Sequence, residues 1–291
     1  MNSKGWGDVL FKNVTLLFSL SIFALTAWIG WELFKNSHLP MEKFGWSFLW
    51  DQVWDPVKEE YGALPFIYGT IVSSLLALAI AVPLGLGVAI FLYELAPPRI
   101  GNVIGFLTEL LAAIPSVVYG LIGVFVLVPI MRNAGAPYGV GMLTAGIILA
   151  VMILPFIATI SREIFKTVPQ TLKESAMSLG ATRWEVLWMI TLPFSFSGVM
   201  GSIFLALGRA LGETMAVTMV IGNRPEIKFS LFEPGYTMAA VIANEFTEAT
   251  SDLYVQTLIQ VGLVLFAITI IVNGIARYLI YKVAKQAEVV A

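Results

Sequence analysis

Arg209 and Glu213 stand four residues apart in a stretch whose other members are mostly apolar or small, Gly201-Ser-Ile-Phe-Leu-Ala-Leu-Gly-Arg209-Ala-Leu-Gly-Glu213-Thr-Met-Ala-Val217. A charged side chain at the middle of a membrane-spanning helix costs about 2.5–3.5 kcal/mol on insertion scales, so such residues seldom face lipid. The i, i+4 spacing predicts that the two pair. Ser202, Ala206, Arg209, Glu213 and Ala216 share one helical stripe, which predicts a face lining a water-filled anion pathway. In that reading Arg209 attracts the substrate and Glu213 tunes or gates the charge. The alternative is a buried ion pair that holds two spans together. Gly208 and Gly212, spaced Gly-x-x-x-Gly, flank the stripe and permit close approach of another helix. A second polar face, Thr108, Glu109, Ala112, Ser116 and Tyr119, lies around Pro115. Glu109 and Ser116 join Arg209 and Glu213 as candidate pathway residues.

Other chemistries are excluded by what is missing. The chain has no cysteine and one histidine. Disulfides, thiol catalysis and Cys-based metal sites therefore fall away, and His38, in a polar loop, reads as a solvated side chain. The apolar stretches hold no Ser–His pair, paired aspartates or metal constellation that would make an intramembrane enzyme. No Gly-x-x-x-x-Gly-Lys-[Ser/Thr] occurs, so no loop can cradle nucleotide phosphates. No cofactor is expected, and no basic cluster suggests nucleic acid.

The residues that position these groups form long apolar runs. Of 291 residues, 58% are hydrophobic and 12% charged, against about 25% charged in a soluble domain. Runs of about 20 apolar residues span a bilayer as helices, which satisfy every backbone group internally. The expectation is an all-α polytopic membrane protein with six transmembrane helices, at about 14–34, 67–93, 103–131, 141–161, 199–222 and 256–280. Lys4 and Lys12 precede the first run as in a signal peptide. Ala24 and Ala27, however, are one position too far apart for a small-x-small cleavage site, so the run is read as a retained, peripheral first span. Pro83 and Pro155 are expected to kink their helices. Ten Lys and Arg, counting Arg277 at the inner end of the sixth span, fall on the side that is inside if the N-terminus is inside, six fall in the opposite loops, and Arg209 lies deep within a span. This places both termini in the cytoplasm. The organisation expected is an N-terminal segment over 1–66, a core over 67–280 and a tail over 281–291.

The inner loop, 162–198, has its own pattern. Leu172, Ala176 and Leu179 fall on one helical face, and Gly180 and Ala181 allow a turn with close backbone approach. Thr182 with Glu185 three residues later is a capping-box pattern that starts a second short helix. Trp184, Leu187, Trp188 and Thr191 are expected to give that helix one face toward the membrane surface. Two short helices around a Gly corner make a knob that fits a partner's cleft; the alternative is an interfacial linker.

Glu174-Ser175-Ala176, then Gly180, then Ile190-x-Leu-Pro193 resemble the "EAA" loop of binding-protein-dependent importers, with Ser175 standing where the motif has Ala. Tyr61-Gly-Ala-Leu-Pro-Phe-Ile-Tyr-Gly-Thr70, Leu110-Leu-Ala-Ala-Ile-Pro-Ser-Val-Val-Tyr-Gly120, Gly208-Arg-Ala-Leu-Gly-Glu-Thr-Met-Ala-Val217, Ile221-Gly-Asn223 and Ala243-Asn-Glu-Phe246 together resemble the C-type permeases of phosphate-specific (Pst) systems. The resemblance runs from about residue 40 to 280. It implies a type I ABC importer permease fold in a bacterial cytoplasmic membrane. It also implies a homologous second permease, two ATP-binding-cassette ATPase subunits and an extracytoplasmic phosphate-binding protein as partners. Glu174, Ser175, Ala176, Gly180 and Ala181 would form the ATPase-coupling loop, and Arg209 and Glu213 would belong to the translocation path. Phosphate as substrate comes from the resemblance alone. The residues themselves leave open another oxyanion, sulfate or molybdate, and a self-contained proton-coupled carrier using Glu109 and Glu213 as a relay.

Overall fold

The computed structural model describes residues 6–290, with side chains described for all of these except Pro98 and 283–290. Six stretches are long and apolar enough to cross a membrane: Trp6–Lys35, Leu64–Leu95, Ser116–Asn133, Met142–Lys166, Arg183–Leu211 and Asp252–Lys282. The first is helix α1 (Trp6–Lys35). The second is α3 (Leu64–Ile90), extended by a π turn over Phe91–Leu95. The fourth is α7 (Met142–Lys166) and the sixth opens α13 (Asp252–Val290). Helices α3 and α7 run on through Pro83 and Pro155.

Two expected spans are not single helices. The third is divided into α4 (Pro98–Ala113) and α5 (Ser116–Ile122), which continues through a π turn into α6 (Val128–Asn133). Ile114 is extended (φ −67°, ψ 130°) because Pro115 disfavours helical geometry in the residue before it. The fifth comprises α9 (Arg183–Val186), a π turn over Leu187–Thr191 and α10 (Leu192–Leu211). Gly212 ends α10, and α11 (Met215–Val220) starts afresh beyond Glu213 and Thr214.

Helices α3 and α7 form the centre. Lipid tails are as apolar as leucine, so helices in a bilayer associate by close packing rather than by hydrophobic burial. The sequence supplies small residues where they touch. A Cβ on Gly146 would lie 2.9 Å from Leu76, and one on Gly85 would lie 3.0 Å from Ile157. Ala77, Ala81, Ala145, Leu149 and Ile153 are buried between them. Helix α10 lies against α7, where the Ser161 and Ser202 hydroxyls bond at 3.0 Å. Helix α1 has no buried residue and meets α13 where Gly30 touches Phe266, as expected of a peripheral helix.

The connections at one end of the bundle fold into a cap. Helix α2 (His38–Phe44), a 3₁₀ turn (Gly45–Leu49) and the hairpin β1 (Trp54–Asp55) and β2 (Glu60–Tyr61) pack on α12 (Met238–Glu245) and the start of α13. The hairpin is antiparallel, with Trp54 opposite Tyr61. The same end closes over α7, whose first N–H groups have no partner within the helix. Met142 N donates to the Glu233 carbonyl at 3.1 Å and Leu143 N to that of Leu231 at 2.8 Å.

Candidate functional site

The breaks in α4/α5 and α10/α11 come together. A Cβ on Gly120 of α5 would lie 3.2 Å from Ala216 Cα, and one on Gly123 would lie 2.6 Å from Val220, so the two short helices touch nearly backbone to backbone. Each break satisfies its own loose backbone groups. Tyr119 Oη donates to the Leu111 carbonyl at 2.7 Å, which binds the end of α4 across Pro115. Glu213 Oε1 accepts the Ala216 N–H at 3.2 Å, which caps the first turn of α11.

This arrangement corrects the expected Arg209–Glu213 pair. Helix α10 stops at Leu211, so Glu213 is no longer one turn above Arg209, and the two make no ion pair among the described residues. Arg209 is exposed in the last turn of α10. Its guanidinium carbon stands 4.5 Å from the centre of the half-buried Phe156 ring on α7. An aromatic face attracts a cation through its quadrupole and adds no negative charge. No carboxylate of the described residues lies within ion-pair distance of it. Phe156 has no signal in the sequence beyond following Pro155, because its partner sits in another span.

The expected water-lined stripe is also corrected. Ser202, Ala206 and Ala216 are buried and form the seam by which α10 and α11 join their neighbours. The open side carries Gly208 and Gly212: nothing lies within 4 Å of a Cβ placed on Gly208, and only the Gly208 carbonyl approaches Gly212. Glu109 is exposed on α4 and Ser116 is the half-buried first residue of α5. The Pro115 break therefore separates two residues that a continuous helix would have aligned.

At the opposite end of the bundle from the cap, the 162–198 loop forms α8 (Gln170–Ser178) and α9 around a glycine corner. Gly180 has φ +93°, a backbone that L side chains rarely adopt. The Ala181 N–H donates to the Ala176 carbonyl at 3.1 Å and the Gly180 N–H to that of Met177 at 3.0 Å, which closes the end of α8. Thr182 and Glu185 make the expected capping box: Glu185 N donates to Thr182 Oγ1 at 3.3 Å, and Thr182 N donates to Glu185 Oε2 at 2.7 Å. Glu174 and Ser175 are exposed, Ala176 and Ala181 half-buried, and Leu179 is 91% exposed. The single face expected for Trp184, Leu187, Trp188 and Thr191 is split. The π turn sends Leu187 and Thr191 inward and leaves the two tryptophans exposed against each other, ring centres 5.7 Å apart.

Known proteins resemble this chain in sequence and in fold. Residues 81–285 match the family described as "Binding-protein-dependent transport system inner membrane component". The chain is 47% identical to the phosphate transport system permease protein PstC of Mesorhizobium japonicum, over 95% of this chain and 90% of that one. It is 46% identical to the PstC protein of Pasteurella multocida, over 96% and 93%. Among solved structures, a chain of a bacterial alginate ABC transporter, crystallised with an alginate-bound periplasmic protein, superposes with a TM-score of 0.64 at 14% identity, over 95% of this chain and 96% of that one. An exposed Gly-cornered knob at one end, broken helices in the apolar middle and these matches lead to one assignment: the chain belongs to the binding-protein-dependent transport system inner membrane components, among the permeases of the PstC type.

Proposed function

We propose that this chain is the membrane permease through which inorganic phosphate passes, driven by ATP hydrolysed on separate subunits. The observation that carries the reading is Arg209. It is an arginine at a helix break in an apolar segment, stacked on Phe156 and without a carboxylate partner among the described residues. An arginine fork offers planar, multi-donor recognition of phosphate oxygens. Glu213, two residues beyond the end of α10, can accept a hydrogen bond from a protonated phosphate oxygen, which fully ionised sulfate cannot provide. Glu109 and Ser116 complete the proposed path on the other broken span.

The partners proposed are a homologous second permease on the open Gly208–Gly212 side, two ATPase subunits and an extracytoplasmic phosphate-binding protein. The knob carrying Glu174, Ser175, Ala176, Gly180 and Ala181 faces the ATPase, and the cap faces the binding protein. The ten-to-six distribution of Lys and Arg supports a bacterial cytoplasmic membrane location with both termini inside. The chain supplies residues 1–66 as a peripheral segment, 67–280 as the permease core and 281–291 as a tail.

The test is phosphate uptake into proteoliposomes by the assembled complex carrying Arg209→Gln. Uptake is expected to fall at least a hundredfold, consistent with loss of roughly 3 kcal/mol of charge-assisted bonding, while all subunits still co-purify. Uptake at the wild-type rate would remove Arg209 from the path.

A further inference from the structure

Lys173 is the buried residue of α8. Its side chain is 6% exposed, whereas Glu174 beside it faces solvent, as the 100° step between successive helical residues requires. A buried ammonium needs compensation from several sides. Here Nζ donates to Tyr93 Oη, stands 4.1 Å from the centre of that ring and lies 3.5 Å from Glu94 Oε1. Both partners belong to the π turn that ends α3.

The contact reaches the centre of the bundle. The Tyr93 ring rests on Phe165 of α7 at 5.9 Å, and Phe165 is fully buried with Ala89 of α3 and Val199 of α10. Lys173 thus connects the knob to the two helices that form the core. Beside it lies a cleft of about 280 Å³, bordered by Gln170, Met177 and Arg183, which leaves α8 room to shift without tearing the seam.

We propose that Lys173 is a positioning residue that transmits displacement of the knob, through Tyr93 and Glu94, to α3 and α7. The inference rests on the reading that an ATPase pushes on the knob. A partner pressing on the exposed Glu174 side of α8 moves Lys173 with it, because both sit on one rigid turn. The pair Lys173–Glu94 then pulls on the end of α3 rather than letting the knob slide over it.

The test measures phosphate taken up per ATP hydrolysed by the complete complex in proteoliposomes. Lys173→Met is expected to lower that ratio about tenfold, the scale of energetic coupling carried by single residues between sites, while ATP hydrolysis persists. Lys173→Arg should restore most of the ratio, and Glu94→Gln, which keeps side-chain volume, should lower it in the same direction. A fluorescent label on Leu84→Cys, an exposed position of α3, reads the same step without reference to substrate. Its ATP-dependent signal should vanish in Lys173→Met. If wild type takes up no phosphate but the label still responds to ATP, the substrate reading fails and transmission through Lys173 is judged on the label alone. Uptake and hydrolysis falling in equal proportion, an unchanged ratio and label signal, or failure of both Lys173→Met and Glu94→Gln to assemble would each overturn the proposal.

Discussion

The two ends of α3 meet opposite surroundings. Near Leu64 the chain enters the cap, where Trp54, Tyr61, Phe66, Tyr236 and Tyr254 stack edge to face or in parallel, with ring centres 4.7–6.3 Å apart. Glu245 Oε2 accepts from Trp54 Nε1 at 2.8 Å and from Tyr254 Oη at 2.5 Å. Thr70 Oγ1 of α3 accepts the Met238 N–H at 2.9 Å, and a Cβ on Gly69 would collide with the Tyr236 carbonyl at 2.0 Å. At the other end, beyond Tyr93, the knob exposes Leu172, Met177 and Leu179. A Cβ on Gly180 would touch nothing within 4 Å. The cap bonds Trp54, Tyr254 and Met238 internally, fills its own volume and leaves the Tyr61 hydroxyl buried without a partner. The knob presents apolar side chains and a glycine in a left-handed backbone to open space. One end is largely covered within the chain, and the other leaves apolar side chains uncovered by it.

Changes at the knob should therefore alter function and spare stability. Gly180→Trp must hold a bulky residue at a left-handed φ, and Ala176→Arg adds charge to the half-buried side of α8. Both positions lie outside the membrane spans. We expect the thermal unfolding transition of the membrane bundle to persist, with the backbone cost of Gly180→Trp confined to the knob. Phosphate uptake should fall roughly 30-fold or more, the effect of losing a 2 kcal/mol interface anchor. Normal uptake with normal ATPase co-purification would reduce the knob to a linker and erase the contrast between the two ends.

Changes at the cap should do the reverse. Glu245→Ala leaves the Trp54 indole N–H and the Tyr254 hydroxyl without their acceptor. Hydrogen bonds to a charged group contribute about 1.5–3 kcal/mol each, so a loss of about 3 kcal/mol is expected. Glu245→Gln keeps one acceptor oxygen and should cost less. Thermal unfolding followed by tryptophan fluorescence measures both. An alanine variant as stable as wild type would mean that the cap is held by ring packing alone.

The cap and the knob also differ in how far the sequence disclosed them. The capping box at Thr182 and Glu185, the glycine corner and the six apolar stretches were legible because each is a local pattern with a local cause. The Arg209–Glu213 pair was misread because helical spacing was extended over Gly212. A glycine at that place is itself a stop signal, and Leu211-Gly212-Glu213-Thr214 carries it. The break at Pro115 was visible, but its consequence, that Glu109 and Ser116 no longer share a face, follows only once Ile114 is seen extended. The stacking of Arg209 on Phe156 and the burial of Lys173 against Tyr93 join residues from different helices. No spacing rule reaches across that separation. Trp54 and Tyr254 share Glu245 as acceptor, a pairing that no local pattern in the sequence discloses.

The smallest expected effect is a pH dependence confined to the cap. Tyr61 is 2% exposed, and its hydroxyl is buried without a hydrogen-bond partner. Burial, reinforced by the Glu59, Glu245 and Asp55 carboxylates, pushes its pKa up from 10.0 to about 12. An unfolded chain releases this proton near 10, while the folded chain retains it. Between those values the unfolded state binds fewer protons, so stability is fully present below pH 10 and falls as pH rises toward 12. Tyr61→Phe removes the titrating group and keeps the ring that stacks on Tyr254 at 5.4 Å. The variant should match wild type at neutral pH and lose stability less steeply between pH 10 and 12, with other tyrosines and lysines supplying the shared background. Parallel stability curves for the two proteins over that range would show that the cap tolerates a charged Tyr61.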